Sequence, residues 1–294
     1  FNYSIFADGL IEIGKRREIF IDYYLIDKLE GAELMMHTPV DEGVAFYYNK
    51  PWEIFSPAYV TILKDSNLYR AYYRSGLSEN RKAYTNEEWT CYAESKDGIN
   101  WEKPALKLFE YKGSYDNNIV LANEAPVHHN FSPFIDKNPS ARPDEKYKAL
   151  GGTSRDGIGL IPYVSPDGIH WKKLRNEGVI KKGAFDSQNV AFWSESEKQY
   201  VCYFRYFTES RYRSIRRSTS KDFINWTEPV EMTYGDTPSE HLYIQQTSPY
   251  FRAPHIYIAI GARLFPDRKI ATEEQLNELK VHPGQHKGLS EPYL

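Results

Sequence analysis

The chain has 294 residues, with hydrophobic residues at 41% and charged residues at 26%, the profile of a water-compatible globular protein. Lysine plus arginine total 37 against 40 for aspartate plus glutamate, a net charge of −3, which supplies no field to gather nucleic acid or anionic lipid. No apolar run approaches the ~20 residues of a membrane helix, and the first residues lack the basic and apolar regions of an export signal.

In chain order, the first strand-like run covers residues 19–26, in an N-terminal segment (1–50) expected to help close the fold with C-terminal strands. A unit over 51–110 follows: an apolar strand at 58–63, a polar turn, a buried strand at 68–74, and Ser95-Lys-Asp97-Gly98-Ile-Asn-Trp101. The unit over 111–180 repeats this order, with strands at 131–135 and 147–150 and then Ser165-Pro-Asp167-Gly168-Ile-His-Trp171. A third, over 181–235, has strands at 190–193 and 199–205 and then Ser220-Lys-Asp222-Phe223-Ile-Asn-Trp226. The last stretch, 236–294, holds a strand at 256–260 and one helix at 272–280, where Thr272 and Gln275 fit a capping box.

Each Ser-x-Asp-(Gly/Phe)-Ile-x-Trp copy reads as strand, tight turn, strand. Repetition of one hairpin signature at this spacing predicts an all-β propeller of four-stranded antiparallel blades rather than a β-sandwich. The expected fold is a five-bladed propeller incomplete in these residues, with the parent chain continuing past Leu294. The 24 tyrosines, 15 phenylalanines and 6 tryptophans suit pleated sheets and offer platforms for sugar faces. Cys91 and Cys202 lack metal or disulfide spacing and read as buried thiols.

Innermost propeller strands run in one sense, so the segments leading into them converge on one mouth. Those segments contain Glu53, then His128 and His129, then Asp186, Gln188 and Asn189, then Glu240, His241 and Tyr243. Three carry a carboxylate, and glycoside hydrolysis needs two carboxyl groups across the scissile bond. Gln188 and Asn189 suit neutral contacts to hydroxyls. Adjacent histidines on extended chain point to opposite faces, so at most one of His128 and His129 is expected to face the channel. Arg74 and Arg205, at the ends of second strands, suit bidentate pairing with carboxylates. The residues indicate no metal or cofactor, although a structural calcium is compatible with the fold. Gly-rich phosphate loops, nucleophile elbows and zinc-protease motifs are missing from the sequence. Asn2, Asn130 and Asn225 begin glycosylation-type triplets, which matter only on a eukaryotic secretory route.

On these hairpins and carboxylate-bearing segments, residues 40–265 resemble the five-bladed β-propeller glycoside hydrolases of families 32, 43, 68 and 130. The resemblance implies a secreted or periplasmic glycosidase acting on a poly- or oligosaccharide. By blade position it gives Glu53 the role of base or nucleophile and divides transition-state stabilisation and proton donation between Asp186 and Glu240. Glu240 is the expected acid, and Asp186 or Glu53 the expected base. The alternatives are a noncatalytic carbohydrate-binding propeller and a propeller lyase or phosphorylase. A phosphorylase calls for several basic residues at the mouth, which the four leading segments do not supply.

Overall fold

A computed structural model describes residues 11–53, 58–76, 85–281 and 286–293. Its strands form four antiparallel sheets in simple meander order. The first contains β1 (Ala58–Asp65), β2 (Leu68–Gly76) and β3 (Glu88–Ser95), with an outer strand in two pieces, β4 (Trp101–Glu102) and β5 (Ile119–Leu121), both paired to β3. The second is β6 (Ser132–Ile135), β7 (Tyr147–Thr153), β8 (Gly159–Ser165) and β9 (Lys172–Lys173). The third is β10 (Val190–Ser194), β11 (Gln199–Phe207), β12 (Arg213–Ser220) and β13 (Val230–Glu231). The fourth is β14 (His241–Tyr250), β15 (Ala253–Phe265) and β16 (Leu289–Tyr293). β1, β6, β10 and β14 neighbour one another in that order, so the sheets stand as blades around a shared axis.

Among the described residues this is a propeller-like arrangement of four blades, not the expected five. The strand expected at 19–26 is also absent: among the described residues 11–53 no segment forms a strand. Aromatic and β-branched residues favour a strand only where a neighbouring edge accepts its backbone hydrogen bonds, and residues 19–26 pair with no sheet edge. They lie instead as irregular chain along blades three and four, where Ile19, Ile21, Tyr24 and Leu25 border a cavity of about 830 Å³ with Ile215 and Tyr257. The helix α1 (Glu273–Glu278) carries the expected Thr272–Gln275 capping box. Among the described residues no helix is long and apolar enough to cross a membrane.

The repeated hairpin is one local hydrogen-bond pattern made three times. Asp97 Oδ1 accepts from the backbone N–H groups of Ile99 (2.9 Å) and Asn100 (2.7 Å), and Trp101 Nε1 donates to the Gly98 carbonyl at 2.9 Å. Asp167 with Trp171, and Asp222 with Trp226, repeat these contacts. The donors hold the Asp222 carboxyl down to about 2 although its partial burial acts the other way.

Packing between blades is aromatic and periodic. Phe134, Leu150 and Leu160 of blade two meet Phe185, Trp193, Phe204 and Phe223 of blade three. Blades three and four meet through Phe192, Val201, Ile215, Leu242 and Tyr257. A tyrosine on the second strand of each later blade also reaches back to an acid at the inner hairpin of the blade before it. Tyr147 donates to Asp65, Tyr200 to Asp136 at 2.7 Å, and Tyr257 to Glu197 at 2.8 Å. Both cysteines are free and buried.

The third hairpin has Phe223 where the others have glycine, at φ 68° against 82° for Gly98 and 79° for Gly168. Phe223 is fully buried in the core between blades two and three, and that burial offsets the strain of a left-handed backbone. Phe223→Gly is therefore expected to destabilise the protein by about 3 kcal/mol in urea melts, because the lost aromatic core exceeds the backbone relief. Gly168→Ala should also lower the melting midpoint, because its Cβ would lie 2.5 Å from Tyr72 Oη.

Candidate functional site

The starts of the inner strands, the ends of the second strands and the starts of the third strands share one end of the propeller. Register fixes this: Gly76 pairs with Glu88 in blade one, and Phe207 with Arg213 in blade three. Side chains from all four blades meet there.

From blade one come Tyr59, Arg74 and Glu88. The Arg74 guanidinium lies 4.8 Å from the Tyr59 ring centroid, and its Nη1 is 2.9 Å from His129 Nε2. His129 Nδ1 lies 3.0 Å from Glu88 Oε2. One tautomer satisfies both neighbours: Nδ1–H donates to Glu88 Oε2 while Nε2 accepts from Arg74. Burial pulls the His129 pKa down against the opposing pull of Glu88, with Arg74 and Arg155 adding to the decrease, so the ring is neutral near pH 7. Tyr59 links this group to blade three by donating to the Asp186 carbonyl at 2.9 Å.

From blade three, Asp186 pairs with buried Arg205 while its own side chain stays half-exposed. The Arg205 guanidinium lies 5.3 Å from the Phe207 ring and that of Arg213 lies 5.5 Å from the same ring. Arg213 also lies 5.4 Å from the Tyr243 ring of blade four. His241 Nδ1 accepts from the Arg213 backbone N–H at 3.1 Å, which leaves the His241 proton on Nε2. Glu240 pairs with Arg263 at 3.2 Å and borders a pocket of about 450 Å³ with Tyr212 and Tyr234.

Several expected site residues lie elsewhere or do other work. Glu53 is 1% exposed. Its Oε1 accepts from Tyr73 at 2.6 Å, and its Oε2 accepts from Lys103 Nζ at 2.6 Å and from the Lys50 N–H at 3.1 Å. Trp52 beside it packs with Phe109 and Tyr111 on the outer flank of blade one, so Glu53 is removed from the mouth. The rest of its expected segment, residues 54–56, lies outside the described residues. Gln188 crosses the channel, donating to Thr61 of blade one at 2.7 Å and accepting from Gln246 of blade four. Asn189 is buried and braces its own loop through the Phe185 and Ser187 carbonyls.

His128 is wholly buried and neither ring nitrogen has a hydrogen-bond partner. The pair sits on a 3-10 turn (Val127–His129) rather than extended chain, which sends His129 to the mouth and His128 inward. No group of three or more potential metal ligands gathers among the described residues.

Sequence reasoning missed Tyr59, Glu88, Phe207 and Arg213. The missed signal is third-strand register: the residue opposite the end of a second strand must share its mouth. Basic residues do converge here, Arg74 and Arg205 from second-strand ends and Arg213 from a third-strand start. The expectation of a mouth poor in basic groups, drawn from the leading segments alone, is corrected.

No protein-family profile and no curated protein matches this chain. Among solved structures it is similar to an N-acetylgalactosamine deacetylase from F. plautii in complex with blood group B trisaccharide, at 14% identity and TM-score 0.49, over 83% of this chain and 74% of that one. It is similar to a fructofuranosidase from Schwanniomyces occidentalis complexed with fructosylnystose, at 16% identity and TM-score 0.43, over 79% of this chain and 45% of that one. It is also similar to an α-L-arabinanase from Penicillium chrysogenum complexed with arabinobiose, at 12% identity and TM-score 0.45, over 73% of this chain and 60% of that one. At these identities none of the three gives a role to a residue of this mouth.

Two outcomes follow from the placements. Glu53→Gln leaves the Lys103 ammonium buried without its counter-charge, and is expected to cost about 3 kcal/mol in denaturant melts. His128, whose pKa burial lowers to about 4, is neutral in the folded chain and takes up a proton more readily when unfolded. Its contribution is therefore complete above pH ~6.5 and falls away between that value and pH 4, by on the order of 3 kcal/mol. Melts across this window should show the loss, and His128→Phe should flatten it.

Proposed function

We propose that this protein is a glycoside hydrolase that works at the four-blade mouth. The observation that carries the reading is that Glu88 and Asp186, from blades one and three, share one mouth: Glu88 contacts His129, which also contacts Arg74, and Tyr59 beside Arg74 donates to the Asp186 backbone carbonyl. Asp186, ion-paired with the Arg205 guanidinium, serves as base or nucleophile. Glu88, whose carboxyl accepts from His129 Nδ1–H through one oxygen and in its protonated form donates through the other, replaces Glu240 as the proton-donating group, because Glu240 is engaged with Arg263 on the last blade. In hydrolysis the acid protonates the departing glycosidic oxygen while the base takes a proton from the attacking water or attacks the anomeric carbon itself. The half-exposed Phe207 ring, with Tyr59 and Tyr243, offers apolar platforms for sugar faces.

A noncatalytic carbohydrate-binding propeller is the second reading, favoured by one feature: each mouth carboxylate already has a cation or imidazole partner. The two readings separate on release of reducing ends from an oligosaccharide panel, with phosphate added in parallel to reveal any sugar phosphate. For the hydrolase, Asp186→Asn and Glu88→Gln should each lower kcat by about 10²-fold or more while oligosaccharide binding persists. Binding by the native chain without release of reducing ends supports the second reading, and sugar phosphate formed at the expense of hydrolysis points to a phosphorylase.

A further inference from the structure

Arg213 stands apart from the other cations of the mouth. Arg205 is matched by Asp186, and Arg74 lies against His129 beside Glu88. Among the described residues Arg213 forms no ion pair with any carboxylate, and its buried Nε has no hydrogen-bond partner. Its guanidinium is nevertheless fixed in place, lying over both Phe207 and Tyr243, while its backbone N–H is held by His241. Burial and the charge of Arg213 lower the His241 pKa, so that neighbour is neutral and does not add to the charge. Stacking on rings leaves the edge of a guanidinium, with its paired donors, available to a planar or tetrahedral oxyanion. The charge lies one aromatic ring away from the Asp186–Arg205 pair.

We propose that Arg213, with Phe207 and Tyr243, forms a subsite for an oxyanion carried by the glycan, a carboxylate or sulfate group on a sugar unit beside the one at Asp186. The inference rests on the mouth being the glycan site, and it makes acidic polysaccharides the substrate class. A neutral sugar would leave an immobilised cation uncompensated in the complex, whereas a uronate or sulfated unit compensates it at little ordering cost.

The test uses the full chain in its Asp186→Asn form, so that binding is read independently of hydrolysis. Calorimetry compares a galacturonate tetrasaccharide, an O-sulfated galactose tetrasaccharide, a neutral galactose tetrasaccharide and inorganic phosphate. At low salt at least one acidic tetrasaccharide should bind about tenfold tighter than the neutral one, and the preference should shrink at high salt. Adding Arg213→Gln should abolish the preference and leave neutral binding within about twofold, while Arg213→Lys, which keeps the charge, should retain part of it. Should the glutamine variant not fold, the lysine variant and the salt dependence decide. Equal binding of acidic and neutral probes, a preference unmoved by salt or by Arg213→Gln, or a response to inorganic phosphate alone would each overturn the subsite. The hydrolase reading fails separately, by absence of reducing-end release in the native chain.

Discussion

The contact on which the propeller depends is the tyrosine of one blade donating to the inner-hairpin acid of the blade before it. Tyr147 with Asp65, Tyr200 with Asp136 and Tyr257 with Glu197 repeat it at three successive joints. Two sheets packed only through apolar faces slide and rotate at little cost, whereas an O–H directed at a carboxylate fixes both spacing and angle. The acids are themselves held. Lys148 reaches Asp136 at 3.1 Å, Arg217 pairs with Glu197, and Lys146 reaches Asp65 at 3.0 Å. Much of the tyrosine excess is spent at these joints and in the cores beside them, and a smaller part at the mouth.

These joints and the Ser-x-Asp hairpins occupy the end of the propeller where inner strands finish and third strands finish. The mouth lies at the opposite end, where both begin. Separation of the two faces lets the rigid end set blade geometry while the other end carries groups that cost stability, such as the ion-paired Asp186 and the carboxylate-free Arg213. Gln188 then ties blades one, three and four across the channel, holding Tyr59 and Asp186 in register.

The electrostatics of the mouth differ from those of the whole chain. The net charge of −3 conceals guanidinium groups from blades one and three drawn together by strand pairing. Carboxylates accompany some of them, and the rings of Tyr59, Phe207 and Tyr243 lie beside others. Such a surface suits a ligand with both an apolar face and a negative edge.

The amino-acid sequence on its own determined the blade as a unit, because the signal is local. An aspartate that accepts from N–H groups two and three residues ahead, closed by an indole on the turn carbonyl, needs nothing from elsewhere in the chain. It also put Asp186, His241, Tyr243 and the His128–His129 pair in segments leading to one mouth, and Arg74 and Arg205 at the ends of second strands. Only the tertiary structure decided the rest. Glu53 faces away because its counter-ion, Lys103, lies on the outer edge of the same blade, fifty positions along the chain. Glu88 and Arg213 reach the mouth through antiparallel register with Gly76 and Phe207, a long-range pairing that leaves no local trace. The four blades among the described residues depended likewise on which edges found partners, since residues 19–26 have the composition of a strand and pair with no sheet edge.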